Sequence, residues 1–229
     1  MPLPSRRALL TCLVSAPLAG MAQVAPGVGD VARLGPLHAA AHHGDLAALR
    51  QALRQGVGIN SRDGHGRTPL HVATFARQRD AIRALAAAGA DLGLLEADRY
   101  DAVTIASVAD DEETLRLLLS LGASAKLTTS VYDGTALIAA AHLGHDGVVR
   151  QLIAAGAPLD HVNNLHWTAV IEAVVLGDGG ARHQAVLRAL LDAGADTRLT
   201  DRGGNTPLDL AKARGFSEMV KMLESARAR

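Results

Sequence analysis

Ten histidines are the side chains of this 229-residue chain most able to carry chemistry. A neutral imidazole binds metals, and a titrating one moves protons near neutral pH, so a chain rich in histidine could hold a metal or a haem or act as an enzyme. His42 and His43 are adjacent, and Gly144 separates His142 from His145. Adjacent residues on a helix point in different directions. Neither pair therefore forms a ligand set by itself.

Motifs of the common enzyme classes are absent from the sequence. It contains no G-x-S-x-G, no P-loop, no H-E-x-x-H and no dinucleotide fingerprint. Residues 177–180 (Gly-Asp-Gly-Gly) are rich in glycine like a P-loop, but no Lys-Ser/Thr pair follows them and no strand precedes them. The sequence predicts a protein that is not an enzyme and has no cofactor or metal. A histidine-dependent metal or haem carrier, or an enzyme, is the alternative.

A unit of two helices must position these side chains, and residues 63–89 show it best. Thr68 suits a helix N-cap, Pro69 suits the first helical position, and Gly89 suits a left-handed C-terminal cap. The unit recurs with spacings of 33 to 38 residues, a period typical of repeat proteins. The terminal glycine recurs at Gly56, Gly89, Gly122, Gly156 and Gly194, and an apolar residue of the first helix recurs at Leu37, Leu70, Val103, Leu137, Val170 and Leu208.

The motif GRTPLHVA at 66–73 resembles the ankyrin repeat, as do GNTPLDLA at 204–211 and GPLHAA at 35–40. The resemblance covers about 34–226. It implies an all-α ankyrin-repeat solenoid of about six helix-turn-helix repeats with short projecting turns, in which each repeat contacts only its neighbours. The expected repeats are about 34–60, 61–93, 94–126, 127–159, 160–197 and 198–226.

The same resemblance assigns structural roles to two histidines. His38 and His71 occupy the histidine of the motif, which implies bonds to the backbone of neighbouring turns. His42 and His142 occupy equivalent positions three repeats apart. Because packed helices lie about 8–10 Å apart, these two side chains are expected roughly 25–30 Å from each other, too far for one metal ion.

The connection between the two helices of a repeat carries a recurrent glycine, the residue that a left-handed conformation favours. Four repeats have glycine there, whereas the second has Arg77, which would cost about 1 kcal/mol in that conformation. In repeat five the connection, 177–184, is about five residues longer than usual. It is predicted to be an exposed loop that carries little of the core, with Arg182 and His183 at its tip.

Residues 1–22 are predicted to be an export signal. Arg6 and Arg7 precede a modest apolar run, and Gly20-Met21-Ala22 offers small residues for a signal peptidase. The run is shorter than the ~20 residues of a membrane span. Ser5-Arg6-Arg7 resembles the twin-arginine motif, although the Sec route stays open. Removal of 1–22 would also remove Cys12, the only cysteine, as suits an oxidising compartment.

Localisation in the periplasm or secretion follows from that signal, with residues 23–33 as a linker.

The charge balance bears on the kind of partner. Lys plus Arg and Asp plus Glu both total 23, and this balance argues against a nucleic-acid partner. No membrane partner is predicted once the signal is removed, and the protein is expected to be a monomer. The predicted partner is another protein.

The concave face of such a solenoid offers a binding surface. On the first helices, the residues just before the connection are expected to face it, and Trp, Tyr and Arg on the turns are the types most often energetic at interfaces. Trp167 is the only tryptophan and ranks first. The predicted contacts are Trp167, His166, Tyr132, Tyr100, Arg99, His65 and Arg67 on the turns, Phe75, Val108, His142 and Leu143 on the helices, and Arg182 and His183 on the connection of repeat five.

The resulting functional prediction is a non-enzymatic module that binds a partner protein and protects or inhibits it. Exported bacterial ankyrin proteins of this general kind imply two partner classes. One is a catalase-type enzyme of oxidative-stress defence, and the other is a toxin against which the protein confers immunity.

Overall fold

The computed structural model describes residue 23 and residues 25–227. It consists mainly of pairs of short helices, and each predicted repeat contributes one pair. The pairs are α2 (Pro36–His43) and α3 (Leu46–Arg54), α4 (Pro69–Phe75) and α5 (Arg79–Ala87), α6 (Ala102–Val108) and α7 (Glu112–Ser120), α8 (Ala136–Leu143) and α9 (Asp146–Ala154), α10 (Ala169–Val175) and α11 (Ala181–Asp192), and α12 (Pro207–Arg214) and α13 (Ser217–Arg227).

The pairs stack in chain order to form two layers. Each first helix contacts the first helix of the next repeat, from α2 through to α12, and the second helices contact each other likewise from α3 to α13. The core lies between the layers and between successive repeats. Its regular members include the apolar residues that marked the repeat, which confirms the predicted register: Leu37, Leu70, Val103, Leu137, Val170 and Leu208 are all buried.

Capping residues in the sequence also account for the ends of the helices. Side chains at the N-caps of five first helices accept hydrogen bonds from backbone N–H groups of the first turn, which satisfies donors that a helix leaves free. They are Thr68, Asp101, Thr135, Thr168 and Thr206. The terminal glycines have φ between 77° and 96°, so their predicted left-handed conformation is confirmed.

The connection inside each repeat is left-handed, with one shift from the recurrent glycine position. Arg77 has φ 55°, and Asp110 in the next repeat has φ 52°. In repeat five, however, Gly177 was expected at this position, and the left-handed residue is Gly179, with φ 72°. Gly177 has a different reason to be glycine: a Cβ there would meet the carbonyl oxygen of Ala173 and would lie 2.7 Å from the His183 ring.

The prediction that 177–184 is an exposed loop is wrong for its second half. The helix α11 begins at Ala181, so Arg182 and His183 lie in its first turn. The His183 side chain is only 13% exposed; its Nε2–H donates to the carbonyl oxygen of His142 at 2.9 Å and its Nδ1 lies 2.9 Å from Asp178 Oδ1. The Gly180 backbone N–H, followed by His183, holds the pKa of Asp178 below its ordinary value.

Two small elements were not predicted. A single helical turn, α1 (Val28–Val31), lies in the expected linker, and Asp30 in that turn contacts Arg33, His65 and Arg67. Before α8, the strands β1 (Thr128–Thr129) and β2 (Gly134–Thr135) form an antiparallel ribbon in which Thr128 pairs with Thr135.

The predicted export signal lies outside the described residues. Within the described residues, no helix is both long enough and apolar enough to cross a membrane.

Candidate protein-binding face

Five inter-repeat turns project from the helix layers, and the same local pattern of hydrogen bonds stabilises each of them. We define them as residues 63–68, 96–101, 130–135, 163–168 and 201–206. The first side chain of each turn accepts hydrogen bonds from the backbone N–H groups two and four residues later, so the loop is held rigid by its own sequence. These side chains are Asp63, Glu96, Ser130, Asn163 and Asp201.

Backbone hydrogen bonds also join neighbouring turns. The N–H of Ala97 donates to the carbonyl oxygen of His65 at 3.0 Å, and the N–H of Asn164 donates to that of Tyr132 at 2.9 Å. Between them, the N–H of Ser130 donates to the carbonyl oxygen of Arg99 at 2.8 Å. Four of the five turns are therefore linked into one row, which presents side chains in fixed positions.

The fourth position of each turn is left-handed. Glycine serves at Gly66 and Gly204, whereas Arg99, Asp133 and His166 adopt the conformation with φ of 65°, 52° and 65°. Such a residue costs about 1–2 kcal/mol when it carries a side chain. Residues held in unfavourable conformations cluster at functional sites. The three middle turns therefore expose side chains at the expense of stability, and Arg99 and Asp133 form a 3.0 Å ion pair there.

Replacing His166 with glycine is expected to stabilise the protein by about 0.5–1 kcal/mol. The change relieves a left-handed cost of about 1–2 kcal/mol and adds roughly 0.5–1 kcal/mol of backbone entropy to the unfolded chain. Urea unfolding of the two proteins measures the difference. His166→Ala is the control, since alanine keeps the left-handed cost and should bring no gain. A lower midpoint for His166→Gly would show that the imidazole has stabilising contacts.

Two of the predicted turn contacts are buried. Arg67 is 1% exposed because its Nε donates to Asp63 Oδ2 at 2.7 Å and Asp30 lies 3.7 Å from its Nη2. Tyr100 is 5% exposed, and burial, followed by the charge of Asp98, raises the pKa of its hydroxyl. The prediction that these side chains project from the tips is therefore wrong. Arg67 is a structural residue, and Tyr100 lines the pocket that is described next.

A concave pocket with a volume of about 70 Å³ lies where α6 and α8 meet the turn 130–135. It brings together five of the predicted contacts from two helices and two turns. Its lining consists of Tyr100, Val108, Tyr132, His142 and Leu143, which were predicted, and of Thr104, Thr129, Ser130, Gly134, Thr135, Ile138, Ala139 and Asn163, which were not. We call this the concave pocket.

Behind the concave pocket lies a carboxylate that was not among the predicted contacts. Glu172 is 1% exposed, its Oε1 accepts a 3.1 Å hydrogen bond from Asn163 Nδ2, and its Oε2 lies 3.3 Å from His142 Nδ1. The signal was present in the sequence, because the other five repeats have an apolar residue at this position. Those residues are Ala39, Val72, Ile105, Ala139 and Leu210.

The remaining predicted contacts lie outside the concave pocket. Trp167 and Phe75 are half-buried, whereas His166 and His65 are exposed. Arg99 is about half exposed at the tip of its turn. Arg182 and His183 belong to the connection in repeat five, where Arg182 Nη2 lies 2.7 Å from Asp110 Oδ2. The predicted contact residues therefore fall into three groups, which lie in the concave pocket, on the row of turns and in the connection of repeat five.

The histidines of the repeat motif are structural, as predicted. His38 Nε2–H donates to the carbonyl oxygen of Arg67 at 3.0 Å, and His71 Nε2–H donates to that of Leu94 at 2.9 Å. Burial lowers the pKa of His71 to about 4, so this ring is neutral at neutral pH. In the described part of the chain, no three His, Cys, Asp or Glu side chains lie close enough together to hold a metal ion.

Comparisons with known proteins agree with this architecture. The family model described as ankyrin repeats (3 copies) matches residues 12–96 and 103–201, and a second ankyrin-repeat model (many copies) matches 180–224. The ankyrin repeat protein YahD of Escherichia coli (strain K12) is 35% identical over 190 residues, which cover 82% of this chain and 94% of that protein. Ankyrin repeat and SOCS box protein 16 of Homo sapiens is 32% identical over 82% of this chain, but over only 42% of its own length.

Solved structures show the same fold. An ankyrin repeat domain from Acinetobacter baumannii AYE superposes with a TM-score of 0.78 at 42% identity, over 83% of this chain and 97% of that domain. The ankyrin repeat domain of Bcl-3 gives 0.75 at 26% identity, over 84% and 86% of the two chains. Ankyrin repeats are protein-interaction modules. On the family models and the relatives together, this chain belongs to the ankyrin-repeat family.

Proposed function

We propose that this protein is exported to the bacterial periplasm and binds a partner protein through its concave face, without catalysing a reaction. The observation that carries the proposal is the concave pocket, in which Tyr100, Val108, Tyr132, His142 and Leu143 converge from two repeats. A rigid row of turns stands beside it. Binding is proposed to protect or inhibit the partner, and a catalase-type stress enzyme and a toxin are the two candidate classes.

The experiment that tests this function is capture from a periplasmic extract. The bait is the full chain immobilised through its C-terminus, and the matched bait carries Leu143→Arg. A charge on a 40%-exposed apolar residue of the concave pocket should abolish an interface there but leave the fold intact. A protein retained by both baits binds elsewhere and contradicts the proposed face. A stoichiometric metal or a Soret absorption band in the purified protein would instead support the carrier alternative.

Export by the twin-arginine route is a separate prediction. Replacing Arg6 and Arg7 with lysine should block the export of a fused periplasmic reporter, because that route reads the arginine pair. The two lysines keep the charge of the n-region, so a Sec signal would be unaffected. A strain without the twin-arginine translocase is the control. Unchanged export in both cases would rule out this route and leave the Sec route.

Replacing Trp167 with alanine is expected to weaken partner binding by about 2 kcal/mol, or roughly thirty-fold. The indole is half-buried in the turn 163–168, where Asn163 holds the backbone. Titration of the captured partner against both proteins gives the affinities, and thermal unfolding gives their stabilities. A lower unfolding midpoint together with weaker binding would show that the indole is a structural residue and not a contact.

A further inference from the structure

The concave pocket exists because one side chain is missing from the row of turns. The fifth position of the turns carries Arg67, Tyr100, Trp167 and Asn205, whereas the turn 130–135 has Gly134. This glycine is not left-handed. A Cβ on it would meet only Ser130 Oγ at 3.5 Å and Ile138 Cγ2 at 3.8 Å, which are ordinary contacts. Neither the backbone nor steric crowding requires glycine here, so its effect is to leave space.

The space suits one side chain with an apolar stem. A volume of about 70 Å³ is room for several waters at about 10–15 Å³ each. The wall contains aliphatic side chains, including Val108, Ile138 and Leu143, and two tyrosines. No Lys, Arg, Asp or Glu is part of the lining. An extended segment of a partner could therefore insert one side chain whose stem packs against this wall.

Two buried carboxylates stand directly behind that wall. Glu172 contacts the lining residues Asn163 and His142. Asp101, also 1% exposed, accepts a 2.5 Å hydrogen bond from the lining residue Thr104. Glu172 Oε2 and Asp101 Oδ2 are both buried without a hydrogen-bond partner. Among the described residues, no Lys or Arg contacts either carboxylate. Because an uncompensated buried charge is costly, burial raises the pKa of Asp101.

Further acidic side chains lie near the wall. Besides Glu172 and Asp101, the acids Glu96 and Asp98 lie near Tyr100 and help to raise the pKa of its hydroxyl, after burial. Arg99, on the turn 96–101, pairs with Asp133 at 3.0 Å. Of the basic side chains in the described part of the chain, His142 is the one that contacts Glu172. The carboxyl groups behind the wall therefore favour a cationic ligand in an otherwise apolar pocket.

We propose that the concave pocket binds a lysine side chain presented by the partner protein. The four-carbon stem packs against the aliphatic wall, as lysine stems do elsewhere. The ammonium group approaches the tyrosines, whose rings attract cations, and compensates the charge of Glu172 and Asp101 through their lining partners. This inference rests on the proposed function, since it assigns a chemistry to the partner of the same face.

The test uses a probe that carries only the proposed features. Titration of the full chain with n-butylammonium chloride, followed by amide NMR at constant ionic strength, measures binding of an ammonium on a four-carbon stem. The matched probe is 1-butanol, which has the same stem without charge. We expect saturable shifts at Thr104, Ile138 and Leu143 with butylammonium, and an affinity at least ten-fold weaker for butanol. Equal affinities, or no saturable shift, would overturn the proposal.

Three variants locate the effect. Glu172→Gln keeps the shape but removes a charge, and should weaken butylammonium binding about ten-fold without changing butanol binding. Gly134→Leu should abolish both, because the added side chain fills the pocket. Gly64→Leu is the matched control on the turn 63–68, where a Cβ meets nothing within 4 Å, and it should bind normally. Unchanged binding by Gly134→Leu, or by a folded Glu172→Gln, contradicts the assignment.

The two proposals fail in different ways. A captured partner whose affinity is unchanged by Gly134→Leu would bind another part of the face, which overturns the lysine pocket but not the proposed function. If the extract yields no partner while butylammonium binds as expected, the pocket chemistry stands and the proposed function fails.

Discussion

Replacing Leu137 with alanine is expected to lower the free energy of unfolding by about 3 kcal/mol. Large-to-small changes at fully buried leucines cost about 2–5 kcal/mol, because the lost transfer energy adds to that of the cavity left behind. Leu137 is 0% exposed, and its helix, α8, contacts α6 and α10 in the neighbouring repeats. In a solenoid, stability depends on the interfaces between neighbours, so this one change weakens two interfaces.

The matched control lies on the same helix. Leu143 is 40% exposed, so Leu143→Ala removes the same atoms from a position that is already partly in water, and should cost less than about 1 kcal/mol. Urea unfolding of the three proteins gives the comparison. A loss below about 0.5 kcal/mol for Leu137→Ala, or equal losses for the two variants, would show that the predicted register does not describe the core.

The fold was predictable because its rules are local and repeated. Thr68 at the N-cap and Gly89 after the second helix each follow from the chemistry of neighbouring residues. The same choices recur at a nearly constant period. A wrong assignment at one repeat would therefore have disagreed with the others. Even the left-handed Arg77, which departs from the glycine of other repeats, could be expected from its position.

The candidate site was predictable only in part, because it depends on contacts between repeats. The helix face of His142 and Leu143 follows from helical periodicity, and these side chains do line the concave pocket. The buried Arg67 lies 3.7 Å from Asp30, thirty-seven residues earlier. No local sequence pattern predicts that contact. The carboxylate of Glu172 was visible as a departure from the repeat, yet its contact with His142 required the stacking of two helices.

The connection in repeat five shows the same limit most clearly. From the sequence, 177–184 is a glycine-rich insertion, and exposed loops carry little of the core. In the structure the His183 ring packs beside Gly144 and Gly177, where a Cβ would lie within about 3 Å of it. Its Nε2–H satisfies the carbonyl of His142 near the C-terminal end of α8, one of the acceptors that a helix leaves free. This contact spans 41 residues.

Replacing His183 with alanine is therefore expected to lower the free energy of unfolding by about 2.5 kcal/mol. The change removes a part-buried hydrogen bond and leaves the His142 carbonyl without that donor, at a cost of about 1–3 kcal/mol. It also leaves a void between Gly144 and Gly177, which adds a cavity cost. Arg182→Ala is the control on the same helical turn. Its guanidinium is 57% exposed and pairs with a 34% exposed Asp110, so the loss should stay below about 0.5 kcal/mol.

Urea unfolding of the two variants separates a structural connection from an exposed loop. If 177–184 were the exposed loop predicted from the sequence, both substitutions would leave the midpoint unchanged. If the ion pair of Arg182 with Asp110 held the connection, Arg182→Ala would be the more damaging variant. A large loss confined to His183→Ala is the outcome that the structure predicts, because only that side chain fills space between two repeats and completes a helix end.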